Sequence, residues 1–320
     1  MLEVRDELGR TFKTLRISLI NTCNLSCVYC TCGSDEIRHN TASAVERALS
    51  PKQLLSIISK LHRQLNLEVI RFTGGEPLLY PHLPEIVAGT KALGVKELKI
   101  TTNGVLLETQ VVALKHAGIT SINVSLDAID EEKFFLVSRR NNVNRILKGI
   151  DAAIESGLEV KLNAVIMKGM NEDQIIPLLN YAFDRNITIR FLEIMAMGYL
   201  HNKADKYFFS QGDVLEKIST YYSFNSLPRK AGSTANYWQT KTGNIFGIVA
   251  NESAPFCGDC DRLRLDSEGN IYGCLSNNNP ISIKDVETKE ELSSKLFETL
   301  EQKQKVKFAG SELSMLHIGG

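Results

Sequence analysis

The chain has 320 residues, 43% hydrophobic and 23% charged, values that suit a folded globular protein and exclude bulk disorder. Lys plus Arg number 37 and Asp plus Glu number 37, so the formal charge is zero, which argues against a general nucleic-acid or anionic-membrane binder but leaves room for a local basic site. No apolar run approaches bilayer length, and Glu3, Arg5, Asp6 and Glu7 fall where a signal peptide needs apolar residues, so a cytoplasmic location is expected, with no membrane and no nucleic-acid partner.

In chain order, short runs rich in Ile, Val, Leu and Phe predict strands over 14–21, 69–74, 97–103, 121–127, 159–166 and 188–195. Helical patterns lie between them over 51–64, 83–93, 109–116, 143–156 and 172–183. The first helix has a clear start: Ser50 can cap, Pro51 suits the first helical position, and Gln53 completes a capping box. Gly94, Gly118 and Gly157 stand where helices should stop. Strands alternating with helices imply parallel pairing through right-handed crossovers. The expected fold is α/β, a partial β/α barrel of about six units rather than a doubly wound sheet. Polar residues recur at the C-terminal ends of the strands, where barrel enzymes place their chemistry. The alternation stops near 221–235, where Pro228 and Gly232 mark a boundary. The expected division is a barrel domain over 1–225 and a smaller C-terminal domain over 226–320.

The seven cysteines are not a disulfide framework if the compartment is reducing. Cys23, Cys27 and Cys30 form C-x3-C-x2-C just after the first strand. Cys257, Cys260 and Cys274 form C-x2-C-x13-C near the other end, and Cys32 is left over. A structural zinc site wants four protein ligands. Three thiolates suit a [4Fe–4S] cube with one iron open to a small molecule. The competing readings are a Cys3His zinc site using His39 for the first set, and a zinc hook completed by Cys32 or His317 for the second.

Cations interrupt the apolar strands. Arg16, Arg71, Lys161 and Arg190 each sit in a different strand, and Arg262 and Arg264 follow the second cysteine pair. Alternation puts Arg262 and Arg264 on one face of an extended segment. Buried cations are costly unless paired. One reading is ion pairs with Glu76, Asp127 and Glu193. The other is a pocket for a polyanion such as a triphosphate, which suits Arg forks and a Lys point charge.

Cys23-x3-Cys27-x-Tyr29-Cys30 on the first β/α loop resembles the signature of the radical S-adenosylmethionine (SAM) superfamily. Gly74-Gly75-Glu76-Pro77 after the second strand is similar to that superfamily's site for the methionine amine. There the two glycines let backbone approach a ligand and the carboxylate can hold an ammonium. The resemblance implies SAM contacts from Tyr29, Gly75, Ser125 and Met195, with Met195 lining the adenine pocket. SAM would chelate the open iron, and its reductive cleavage would give a 5′-deoxyadenosyl radical.

From about Leu15 to Gly320 the chain is similar to the GTP 3′,8-cyclase family of molybdenum-cofactor biosynthesis. The pieces that carry this are the motifs around Arg71, Thr101, Asn123, Lys161 and Arg190, the stretch from Phe256 through Cys257, Cys260, Arg262, Leu263 and Arg264, Gly273 with Cys274, and the Gly319-Gly320 end. It departs from the usual pattern at Asn21, Thr22, Thr31, Cys32 and Val69. The resemblance implies two [4Fe–4S] clusters, the second binding guanine through its open iron. It implies GTP contacts from Arg16, Arg71, Thr101, Lys161, Arg190, Arg262, Leu263 and Arg264. The radical would take the ribose C3′ hydrogen, and C3′ would attack guanine C8. The Gly319-Gly320 tail would thread into the active site. A reduced flavodoxin- or ferredoxin-type protein would donate electrons, a separate pyranopterin-forming enzyme would take the product, and a homodimer is compatible with this scheme. Two alternatives compete. A radical SAM peptide- or protein-modifying enzyme would usually carry more C-terminal cysteines. A non-catalytic iron–sulfur or nucleotide-binding scaffold would have no need of an open reducing cluster.

Overall fold

The computed structural model describes residues 4–31 and 41–319. Cys32, His39 and Gly320 lie outside the described residues. The six predicted strands are present as β1 (Thr14–Ser18), β2 (Val69–Thr73), β3 (Glu97–Thr102), β4 (Ser121–Ser125), β5 (Glu159–Ile166) and β6 (Thr188–Glu193), each parallel to the next. Helices α1 (Thr41–Arg47), α2 (Pro51–Leu65), α3 (Leu83–Ala92), α4 (Leu107–Ala117), α5 (Glu131–Ser138), α6 (Val143–Glu155) and α7 (Ile175–Asp184) fill the crossovers. The Ser50–Gln53 capping box that starts α2 is formed. Of the six, β5 spans its expected range, β2 and β3 end one residue early, and β1, β4 and β6 end two or three residues early, at Ser18, Ser125 and Glu193. A 3-10 turn over Glu172–Gln174 precedes α7. The helix α5, capped by Asp130, is not predicted by the sequence pattern. Its apolar residues run together at 134–137 instead of recurring with helical period.

The last third of the chain continues the same sheet at both edges. After α8 (Gln211–Ser219), strands β7 (Phe224–Leu227), β8 (Asn236–Thr240) and β9 (Ile245–Val249) form a meander, with β9 parallel to β6. Then β10 (Arg262–Leu265) joins β1 in parallel, and β11 (Asn270–Tyr272) and β12 (Ile281–Ser282) follow antiparallel. The order is β12-β11-β10-β1-β2-β3-β4-β5-β6-β9-β8-β7. The sheet stays open, so the architecture is an incomplete β/α barrel. The expected boundary at 225/226 falls inside β7. Helices α9 (Lys289–Glu301) and α10 (Met315–Ile318) complete the chain.

Side chains alternate across the sheet. Leu15, Ile17, Ile70, Phe72, Ile100, Ile122, Leu162 and Phe191 are fully buried beneath the helices. The opposite, inner face carries Arg16, Arg71, Thr101, Asn123, Lys161, Asn163 and Arg190, in three rows set by the register: Arg264↔Arg16↔Arg71, then Thr101↔Asn123↔Lys161, then Asn163↔Arg190. The strand C-termini share one rim, and both cysteine triads lie along this inner side.

Candidate active site

The first cysteine loop leaves β1 and is clamped from two sides. The Gly75 and Glu76 amides donate to the Ile20 and Thr22 carbonyls at 2.6 and 2.8 Å. A Cβ at Gly74 would lie 2.7 Å from the Ile20 oxygen, and one at Gly75 would overlap the Thr22 carbonyl. The close backbone approach expected of these glycines is therefore made to the chain's own cysteine loop. On the other side, the Ser26 and Val28 amides donate to Ser138 and Val137 carbonyls at the end of α5. The Cys30 and Thr31 amides both donate to the Cys27 carbonyl, closing the turn. Cys23, Cys27 and Cys30 thereby border one cavity together with Tyr29, Gly75 and Ser125.

Burial pushes the Cys23 thiol up to about 11, with Glu76 adding to the effect. Burial raises Cys30 to about 12 and, with Asp127, raises Cys27 well above the usual thiol range. Such thiols become thiolates only when a cationic centre binds them. Three of them around one cavity fit an iron–sulfur cube with one iron unligated by cysteine. Among the described residues no three His, Cys, Asp or Glu converge tightly enough for a single metal ion.

The nearby carboxyl groups are consumed by the fold. Glu76, 1% exposed, accepts from Thr102 Oγ1 at 2.6 Å, the Asn103 amide at 2.7 Å and the Leu78 amide at 3.0 Å. Burial raises it to about 7 against these donors. Its expected hold on an ammonium gives way to this structural role. Asp127 accepts from the Tyr29 hydroxyl and the Val165 amide, each at 2.8 Å. Glu193 accepts from the amides of Gln211, Glu252 and Ser253. None of the three pairs with the strand cations, so that reading of the cations is set aside.

The second triad borders an adjoining cavity with Arg16, Thr101, Arg190, Arg262 and Arg264. Thr101, Asn163, Leu192 and Met315 line both cavities, so the two spaces meet. Counted with the open space at their mouths, they span about 1020 and 1060 Å³. Met195 borders this second cavity, away from the first triad where an adenine pocket was expected. Burial alone would raise Cys260, but Lys303 and Arg262 pull it down to about 6. Burial raises Cys257 to about 11.

Among the described residues the cations of this cavity lack counterions. Arg16 makes no ion pair or hydrogen bond among the described residues. Burial, then the charges of Arg264, Arg71, Arg262 and Arg190, push it well below the usual guanidinium range. Arg264 is held down to about 10, chiefly by burial. Arg190 Nε donates to Asn163 Oδ1 at 3.0 Å. Arg262 Nε lies 3.4 Å from Cys260 Sγ, and its Nη2 finds no partner among the described residues. Desolvating a charge costs several kcal/mol per ion, so the cluster calls for an anion.

Two of the expected cations behave differently. Arg71 lies beneath the cavity, donating to the Ile100 carbonyl and Thr101 Oγ1 at 3.3 and 3.4 Å. Lys161 is paired with Glu159 at 2.6 Å, as Lys99 on β3, two strands away, is with Glu97. Leu263 is fully buried on the outer face, opposite Arg262 and Arg264. The tail enters between the strands: the Gly319 carbonyl accepts from Arg264 Nη1, and a Cβ at Gly319 would run into Thr73 and Ser18. Gly319 has φ of 72°, where glycine is favoured.

Sequence reasoning passed over Asn123, Asn163, Arg10 and Lys303. Asn123 and Asn163 follow from strand alternation and were legible. Arg10 donates to the Cys257 and Gln304 carbonyls and pairs with Asp6, and Lys303 sits against Cys260. No spacing marks either residue.

The chain matches the radical SAM superfamily over residues 17–182 and the molybdenum cofactor synthesis C-terminal family over 187–310. It is 38% identical over 279 residues to a GTP 3′,8-cyclase of Synechocystis sp., covering 87% of this chain and 84% of that protein. It is 38% identical over 281 residues to a GTP 3′,8-cyclase of Staphylococcus haemolyticus, covering 85% and 81%. In fold it is similar to Streptococcus suis SuiB bound to S-adenosylmethionine (TM-score 0.64, 17% identity, 89% of this chain, 66% of that one). It is similar also to native anSMEcpe with bound AdoMet (TM-score 0.64, 15% identity, 90% and 81%). With its curved parallel sheet, its two cysteine triads and these relatives, the chain belongs to the radical SAM superfamily and, within it, to the family of the GTP 3′,8-cyclases.

Proposed function

We propose that this chain converts GTP to 3′,8-cyclo-7,8-dihydroguanosine 5′-triphosphate, the first step of molybdenum-cofactor biosynthesis. Membership in the superfamily carries SAM and an iron–sulfur cluster with it. The finer reading is two [4Fe–4S] clusters, one on Cys23, Cys27 and Cys30 and one on Cys257, Cys260 and Cys274. The observation that supports GTP as substrate is the set of inward-facing guanidinium groups of Arg16, Arg190, Arg262 and Arg264, without counterions among the described residues, in a cavity that adjoins the first triad's. A triphosphate supplies the missing negative charge, and forked donors suit its oxygens.

Within this reading Tyr29, Gly75 and Ser125 border the SAM site, and Met195 lies on the GTP side, in the lining of the second cavity. When bound, the first cluster and SAM together supply the one-electron chemistry that removes a hydrogen from the substrate ribose. The chain's own residues bind and orient. Arg16, Arg190, Arg262 and Arg264 hold the phosphates, Thr101 and Asn163 stand between the two cavities, and Arg71 and Lys161 add charge from below. The Leu263 side chain packs the core, so any contact it makes is through its backbone. The Gly319 carbonyl fixes one Arg264 nitrogen, and with Gly320 the tail presets the guanidinium cluster. The divide between 1–225 and 226–320 is proposed as functional: one part serves SAM, the other guanine. A reduced flavodoxin- or ferredoxin-type donor and a pyranopterin-forming acceptor of the product belong to the same proposal. So does a cytoplasmic setting, where thiols stay reduced for cluster assembly.

The test is anaerobic incubation of reconstituted protein with GTP, SAM and dithionite. The expected outcome is 5′-deoxyadenosine together with the 3′,8-cyclised nucleotide. SAM cleavage with GTP recovered intact, or a product formed only from a peptide, would overturn the substrate assignment.

A further inference from the structure

Lys303 is 4% exposed, and its ammonium is committed to the second cysteine triad. It donates to the Arg262 and Gly273 carbonyls, each at 2.8 Å, and lies 3.5 Å from Cys260 Sγ. Arg262 follows the Cys257–Cys260 turn, and Gly273 immediately precedes Cys274. One side chain thus bridges the two chain segments that carry the three thiols. The Phe12 ring, 5.1 Å from Nζ, seals its far side. Backbone on the far side of Gly273 is equally close: a Cβ there would collide with the Thr299 carbonyl of α9, so the Cys274 segment sits tight against the element leading to Lys303. The acidic group in the turn, Asp259, is engaged by Arg229 at 2.8 and 2.9 Å and does not neutralise Lys303.

A buried ammonium with no carboxylate partner is costly, so its placement needs a compensating negative charge. Three thiolates on a cube provide one. A fixed cation favours the more negative, reduced state of such a centre, and hydrogen bonds and charge at the sulfurs are what set cluster potentials.

We propose that Lys303 is a positioning residue for the second cluster: it locks the Cys257–Cys260 turn to Cys274 and holds that cluster at a higher reduction potential than the cluster on Cys23, Cys27 and Cys30. The inference rests on the reading that the second triad holds a cluster.

The experiment is a potentiometric titration followed by electron paramagnetic resonance, with iron analysis, on the reconstituted full chain and on Lys303→Gln and Lys303→Arg. Gln keeps donors for the two carbonyls and loses the charge; Arg keeps the charge. In Lys303→Gln the second cluster should become harder to reduce by about tenfold, about 59 mV for one electron, with the first cluster unmoved. Should Gln instead lose the second cluster's iron while Arg retains it, the ammonium's charge is what holds that cluster, and the proposal stands. A Gln variant with unchanged iron and unchanged potential overturns the proposal, as does an Arg variant that shifts as far as Gln. If the unmodified chain takes up only one cluster, the two-cluster reading has failed, and Lys303 with it. Two clusters with no response to Lys303→Gln sinks the Lys303 inference alone.

Discussion

The two cysteine triads use the same three-thiol logic on one sheet, yet their walls have opposite character. Around Cys23, Cys27 and Cys30, burial and the acidic Glu76 and Asp127 resist negative charge. Around Cys260, Lys303 and Arg262 favour it. An acidic or apolar wall disfavours the extra electron on a cube, and a cationic wall favours it. The first site is thereby suited to a strongly reducing centre that gives its electron away. The second is suited to holding an electron-rich ligand set beside a polyanion. The contrast lies in the surroundings, because the ligand count is the same.

The largest test of this division removes each triad in turn. Cys257, Cys260 and Cys274 replaced together by Ser should cost about four of about eight irons and all cyclisation, while SAM is still cleaved without product. The same replacement at Cys23, Cys27 and Cys30 should abolish SAM cleavage and leave the other cluster's signal. Iron analysis and chromatographic assay of 5′-deoxyadenosine read both. If either triple variant keeps all its iron, the division into two sites is wrong.

The loops can be compared through a single methyl group. At Gly75 a Cβ meets the Thr22 carbonyl, which is part of the cysteine loop's own backbone and cannot yield. At Gly258, between Cys257 and Cys260, it meets only the Lys305 carbonyl at 3.6 Å, an ordinary contact. We expect Gly75→Ala to destabilise by about 1–3 kcal/mol and to lose the first cluster, as overpacking does. Gly258→Ala should fall within about 0.5 kcal/mol of the parent and keep both clusters. Thermal unfolding and iron content measure this. Equal tolerance would mean that the β2 turn does not seat the first loop.

Much of this was legible in the sequence for particular reasons. Cysteine spacing marks triads because ligands to one centre must sit on one or two turns. Strand period two puts Arg16, Arg71, Lys161 and Arg190 on the face opposite the apolar residues that flank each of them. What could not be read were contacts made by long-range pairing. Lys303 reaches Cys260 across 43 residues, and Arg10 reaches Cys257 across 247, because β10 lies beside β1. Glu76 looked free to hold a ligand until the end of β3 brought Thr102 and Asn103 to it. Met195 was placed by the end of β6 on the cation cavity, a matter of where a strand stops. Of the edge strands, only the extended segment with Arg262 and Arg264 was legible; β7 to β9, β11 and β12 follow one another through turns, with no helix between them to set an alternation.

Arg16 sharpens the comparison from the substrate side. Its charge is buried with no partner among the described residues, so the free protein bears a cost that a bound anion removes. Arg16→Met should lower GTP affinity about 10- to 100-fold, the range of a charge-assisted hydrogen bond, with SAM affinity nearly unchanged. The same substitution should raise the stability of the ligand-free protein by about 1–2 kcal/mol, since a buried uncompensated charge is gone. Anaerobic calorimetry and thermal unfolding give the two numbers. A fall in both affinity and stability would mark Arg16 as structural.

The smallest effect is expected at Lys161, and it tests whether a cation on the inner face counts only when unpaired. Lys161 and Arg16 both point inward, on β5 and β1, but Lys161 is held by Glu159 at 2.6 Å. Hydrogen bonding to Lys161 in turn keeps the Glu159 carboxyl below its ordinary range. The pair is part-exposed, so it contributes no more than about 1 kcal/mol, but a phosphate recruiting Lys161 would have to give that back. Lys161→Met should therefore reduce GTP affinity by about threefold, well short of Arg16→Met, because about 1.4 kcal/mol separates each factor of ten. Glu159→Gln should raise affinity slightly by freeing the ammonium. Were Lys161→Met to lose as much as Arg16→Met, the Glu159 pair would have to open on binding. The inner face would then act as one continuous phosphate cradle down to its base.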